Sequence, residues 1–191
     1  YTDLRGYLEA RLEYESGLYE AGVALGRMQK ELDLMKMTGE DAFLKLLQAE
    51  IYLLTNRRDK ACLILDEVRD AVLAGRLEHR KAYCFFQYLQ VCIWGDADQR
   101  DSLIRLLQKY AADRGAGTGD SFFYVLLLKT DPALSENPET VLISMEQQFE
   151  AGCASPFLYM AALKLLEENP QLLDGSGSFE LHALYFAARR G

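Results

Sequence analysis

The sequence predicts an all-α fold, an α-solenoid of about five antiparallel helical hairpins, and three observations carry that expectation. Apolar residues recur at steps of three and four, with no strand alternation. Short turn-forming stretches divide the chain into paired helices, placing hairpins near 3–37, 40–74, 78–113, 120–151 and 155–190. A small or apolar residue opens each second helix at Ala21, Ala61, Ser102, Val141 and Ala183, at intervals of 40, 41, 39 and 42. A larger apolar residue follows four positions on at Leu25, Leu65, Leu106 and Met145, with Ala187 in the last helix. A period near 40 made of two helices is the pattern of stacked hairpins. One hairpin alone cannot bury both faces of its first helix, so neighbours share a core.

The first helix is expected over 3–15, with Leu4, Leu8 and Leu12 in a stripe, and Ser16–Gly17 as the turn. A long helix then runs to about Met37, with Ala21, Leu25, Met28 and Leu32 on one side. The alternative is one unbroken helix from 3 to 37. Gly22 and Gly26 share a face. Glycine costs a helix about 1 kcal/mol, so the pair is expected where another helix comes close. The central hairpin is the clearest. Thr38 and Asp41 form a capping pattern, and Glu40 and Asp41 sit where the helix dipole favours acids. Phe43, Leu46, Leu47, Ile51 and Leu54 set the helical period of the first arm, over 40–55. After a turn at Asn56–Arg58, Ala61, Leu65, Val68 and Val72 make one face of the second arm, and Gly75 closes it. A connection this short makes the arms antiparallel.

The helix expected at Glu78–Trp94 has only Gln87 and Gln90 as polar residues from Ala82 onward, so it is expected to be buried nearly all round. Gly95–Asp98 is a turn, with Asp98 as N-cap and Asp101 at N3. The next helix runs to about Asp113, with Leu103, Leu106, Leu107 and Tyr110 inward. Arg114–Gly119 is the loosest loop, and Asp120 or Ser121 caps the apolar helix Phe122–Leu128. Asn137-Pro138-Glu139 and Ser155-Pro156 start two further helices by the N-cap and N1-proline rule. Asn169–Pro170 stops the second of these, and Phe179–Arg190 is a last helix.

With 191 residues, half of them hydrophobic and 26% charged, the chain has the size and composition of one globular helical-repeat domain, 1–191. It begins at Tyr1 and not at Met, so it is expected to be a fragment of a longer chain. The formal charge of −8 disfavours nucleic acid and anionic membrane as partners. The apolar runs, such as Phe122–Leu128, fall short of the ~20 residues of a membrane span. Cys62, Cys84, Cys92 and Cys153 form no C-x-x-C pair and lie in or beside apolar runs, so they are expected to be buried free thiols. Cys84 and Cys92 lie about 12 Å apart along one helix, too far for a disulfide. A reducing, cytoplasmic setting is the expected location.

Gly17-Leu18-Tyr19-Glu20-Ala21 with Leu25, and Ala49-x-x-Tyr52 with Ala61 and Leu65, resemble the tetratricopeptide repeat pattern. The likeness covers the first two hairpins. The expected tryptophan and leucine are replaced by Lys45 and Gln48, the closing proline is absent, and the period exceeds that family's ~34 residues. The resemblance implies a right-handed superhelix that binds protein segments and is not catalytic. The segment Gly152-x-x-Ser155-Pro156-Phe157-Leu158-Tyr159 through Pro170-x-Leu172-Leu173 to Phe179-Glu180 is also similar to helical modules of large bacterial proteins of unknown function, and implies no activity.

No catalytic set emerges from the residues. His79 and His182 are far apart in the repeat order and make no metal-ligand spacing. His79 lies among Glu78, Arg80 and Lys81 and is expected to be solvated. The acids Glu9, Glu13, Glu20, Glu167 and Glu168 read as solvated faces. No metal or cofactor is expected. Binding is the better prospect. Gln87 and Gln90 share a helix face with Tyr83 and Trp94, where amides would bond an extended peptide and rings supply contact area. Tyr83, Tyr124 and Tyr159 open three successive first helices and would form a ladder. The expected partner-binding residues are Tyr83, Gln87, Gln90 and Tyr124, with a protein or peptide as partner. A structural spacer in a larger protein is the second expectation, and a small helical enzyme or ligand sensor the third.

Overall fold

Short oxygen-bearing side chains set four of the helix starts in the computed structural model, which describes residues 5–16, 20–112, 120–150, 165–166 and 168–174. The described residues form nine α-helices and one 3-10 helix, with no strand among them. The α-helices are α1 (Arg5–Ser16), α2 (Ala21–Lys36), α3 (Ala42–Leu54), α4 (Arg58–Ala74), α5 (Arg80–Trp94), α6 (Ala97–Ala112), α7 (Asp120–Thr130), α8 (Pro132–Glu136) and α9 (Pro138–Glu150). The 3-10 turn is Pro170–Asp174. The all-α expectation therefore holds. No helix among the described residues is long and apolar enough to cross a membrane.

Capping explains the boundaries and shifts some of them. Asp41, not Thr38, caps α3: its carboxylate accepts from the Leu44 N–H at 2.9 Å. Thr38 instead donates to the Met35 carbonyl at the end of α2. Asp41→Ala is expected to cost about 1 kcal/mol, read from urea unfolding; no change would mean that this bond contributes nothing. Asp96, two residues ahead of the expected Asp98, accepts from the Asp98 and Gln99 N–H groups and starts α6. Asn137 accepts from the Thr140 N–H ahead of Pro138, as the sequence pattern requires. Asp131-Pro132 uses the same chemistry to start the short α8, which the sequence reading passed over. Asn56 turns the chain between α3 and α4 with φ +57°, a left-handed conformation that asparagine tolerates. Gly95, at φ +66°, does the same after α5.

The chain divides into two compact units, Tyr1–Leu106 and Leu107–Gly191. In the first, α1 packs on α2 and α3 on α4; α2 also packs on α3, and α5 on both α3 and α4. The fold-back of α2 on α1 excludes a single helix from 3 to 37. It brings Arg27 to Glu13 in an ion pair and Glu31 to Gly6. The Glu31 carboxylate fills the space that a Cβ on Gly6 would take. Close approach therefore falls at Gly6, and not at Gly22 or Gly26, where a Cβ would meet nothing within 4 Å.

The core of this unit has α3 at its centre, buried from Leu46 to Ile51 without a break. Two of its neighbours, α1 and α2, reach its buried residues through polar groups. Arg11 of α1 pairs with Glu50 of α3 at 2.9 Å, with side chains only 4% and 5% exposed. The Tyr7 hydroxyl, also buried, lies 3.2 Å from the same carboxylate and 3.3 Å from the Leu47 carbonyl. Gln48 of α3 and Gln29 of α2 exchange amide bonds at 2.9 and 3.0 Å, and Lys36 donates to Gln48 at 3.1 Å. From α5, Phe85 meets Phe43 at a ring distance of 5.9 Å and stacks with Tyr88. Burial pushes the Tyr88 phenol well above its ordinary value, with Cys92 and Glu50 adding to the shift.

Burial departs from the expected repeat positions at two of the four that are described. Ala21 and Ser102 are exposed, because Ala21 is the first residue of its helix and Ser102 lies one residue from the buried face. The buried pairs four residues apart in these helices are Ala24 and Met28, Ala61 and Leu65, Leu103 and Leu107, and Val141 and Met145. Their intervals are 37, 42 and 38 residues. The expected Leu4, Leu8 and Leu12 stripe lies outside the described side chains; Tyr7, Ala10 and Arg11 form the buried face of α1.

In the second unit, α8 packs on α7 and on α9. Phe123, Leu126 and Leu127 of α7 and Val141, Leu142 and Met145 of α9 are buried. Tyr110 and Phe123 bring their rings to 5.2 Å. Cys153 and the expected hairpin at 155–190, including Ser155-Pro156, His182 and Ala183, lie outside the described residues apart from a few positions around Asn169. There Asn169 donates to the Leu165 carbonyl, and the chain leaves helix at Pro170 as expected.

Candidate partner-binding groove

Helix α5 falls short of the expected burial nearly all round: Ala82, Cys84, Phe85, Phe86, Leu89, Val91 and Ile93 are buried, but Tyr88 and Gln90 are half-buried and Cys92 and Trp94 exposed. Tyr83 and Gln87 are half-buried too. They line a shallow groove closed on the other side by Asp98, Gln99, Ser102, Leu103 and Leu106 of α6. Buried Leu103 anchors the floor, Leu106 is half-buried, and Asp98, Gln99 and Ser102 stand exposed on the rim. The groove exists because α6 turns back at Gly95 and its first turn is held by Asp96. That turn leaves polar residues of α6 facing the least apolar strip of α5.

Its chemistry is amide and hydroxyl over an aliphatic base. Gln87 is half-buried, yet its side chain bonds to no other described residue. An amide offers a donor and an acceptor together, the same pair that an extended backbone presents. A half-buried amide without an internal partner retains both for whatever enters the groove.

Two of the four expected residues, Tyr83 and Gln87, therefore meet in one place. Gln90 is half-buried but does not line the groove. Trp94, which shares their spacing, stands 49% exposed in the last turn of α5, not in the core. Tyr124 is in α7, and its side chain lies outside the described ones, as does Tyr159. Sequence reasoning missed Asp98, Gln99 and Ser102. The groove signal in α6 was an exposed polar run over an apolar step at Leu103 and Leu106.

The nucleophile candidates fall elsewhere. Burial pushes the Cys84 thiol up to about 12, against a smaller opposing pull from Arg80, so it stays protonated at neutral pH. Cys62 is half-buried and Cys92 exposed, so full burial holds for Cys84 alone of the three described cysteines. His79 is exposed at the start of α5. Among the described residues no three of His, Cys, Asp and Glu gather where they would hold a metal ion.

Fold and groove together define an all-helical protein of packed helix pairs. The chain belongs to a family described as "Family of unknown function (DUF5717) N-terminal", whose model matches residues 2–191. No curated protein and no solved structure matches it.

Proposed function

We propose that this chain is a non-catalytic interaction scaffold that binds an extended segment of another protein in the α5–α6 groove. The observation that carries this is Gln87, half-buried beside Tyr83 with its amide bonded to no other described residue. Tetratricopeptide-like hairpin stacking is the architecture that goes with it. In the first unit α2 packs on α3, and α4 on α5, the succession that stacked hairpins require.

The test is a crosslinking pull-down from host-cell lysate, with captured proteins identified by mass. The 191-residue chain is the bait, beside a Gln87→Ala/Gln99→Ala variant and a Gln90→Ala control. Capture of one protein by the native chain and the control, reduced at least tenfold in the groove variant, is the expected result. Equal capture by all three baits would place binding elsewhere. No capture by any would favour a spacer role.

A further inference from the structure

We propose that the outer face of α2 is a self-association surface, on which a second copy of this chain docks with its own α2 antiparallel. Gly26, Gln29, Lys30, Asp33, Leu34 and Met37 line a groove along this helix. Leu34 is 50% and Met37 82% exposed, two large apolar side chains in water on one short stretch. Space beside Gly26 is open, since a Cβ there would meet nothing within 4 Å. The helix carries the cost of that glycine, about 1 kcal/mol against alanine, with no contact among the described residues to require it.

The occupant follows from the order of residues along the groove. In an antiparallel pair with its twofold axis between residues 31 and 32, each lining residue falls level with another lining residue. Gly26 falls level with Met37 of the second copy, so the more exposed of the two apolar side chains meets the open space. Lys30 falls level with Asp33, and Gln29 with Leu34. Two such contacts of each kind form, as an isologous interface demands. Neither Lys30 nor Asp33 belongs to an ion pair among the described residues; Asp33 accepts only from Gln29 on its own helix. A parallel pair would set Lys30 against Lys30 and Asp33 against Asp33. The face is thus its own complement in one orientation only. This surface is separate from the α5–α6 groove and does not depend on it.

Sedimentation of the 191-residue chain tests the proposal. The native chain is expected to dimerise in the micromolar range. Lys30→Glu alone and Asp33→Lys alone are each expected to raise the dimer Kd at least tenfold, because each sets like charges level at two places. An equimolar mixture of the two variants is expected to dimerise again. It pairs the introduced glutamate with the introduced lysine, and native Lys30 with native Asp33. Circular dichroism should show both variants fully helical, since both positions are exposed. A native chain that stays monomeric at high micromolar concentration would overturn the proposal. So would single reversals that leave the dimer intact, or a mixture that fails to recover it.

Discussion

Arg11→Met is expected to destabilise the fold by about 3–5 kcal/mol, because it leaves the Glu50 carboxylate buried without its cation. Both side chains are almost wholly out of water, 4% and 5% exposed, and the pair closes at 2.9 Å. Methionine keeps most of the arginine stem's packing, so the loss reports charge and not volume. Total stabilities of about 5–15 kcal/mol are usual, so the variant would lose a large part of the whole. Arg11→Met/Glu50→Leu is expected to recover most of that loss, since an apolar pair of similar volume removes the unpaired charge. Tyr7 would then keep the Leu47 carbonyl as its partner. Urea unfolding of the three proteins decides the matter. A loss under about 1 kcal/mol for Arg11→Met would mean that water reaches the pair.

Ala61→Glu is expected to cost more than about 2 kcal/mol, since it forces bulk and a charge into a closed contact. Ala61 is fully buried on the α4 face that also carries Leu65, Val68 and Val72. Ala21→Glu is the matched comparison. Ala21 opens α2 in the exposed position that the repeat register had equated with Ala61, and a surface change of this kind stays within about 0.5 kcal/mol. Thermal melting separates them: a drop of several degrees for the first variant and little for the second. An unchanged melting temperature for Ala61→Glu would remove α4 from the core. Equal drops would restore the original register.

What the sequence made legible follows from what is local. Asn137-Pro138 and Asn169-Pro170 punctuate the chain where the pattern placed them, because caps and proline act on their own backbone. The buried stretch of α5 was legible because almost every residue in it is apolar. Arg11, Gln48 and Glu50 were not, since periodicity counts charged and amide residues as surface. Their burial depends on partners from another helix, and only the packed fold brings those together. The glycine pair misled for a related reason. A Gly-x-x-x-Gly step marks a smooth face but says nothing of whether the chain itself covers it. Half of the groove could be read from one helix, through the spacing of Tyr83 and Gln87. Asp98, Gln99 and Ser102 could not, because they depend on where α6 lies across from α5.

Site-specific photocrosslinking in the host cell is the most direct test of the groove. A photoreactive side chain would replace Leu106, in the groove, or Leu63, which is 70% exposed on α4. The account predicts one dominant crosslinked protein from position 106, lost when Gln87→Ala is added, and no such product from position 63. The same product from both positions, or one from 106 that survives Gln87→Ala, would contradict it.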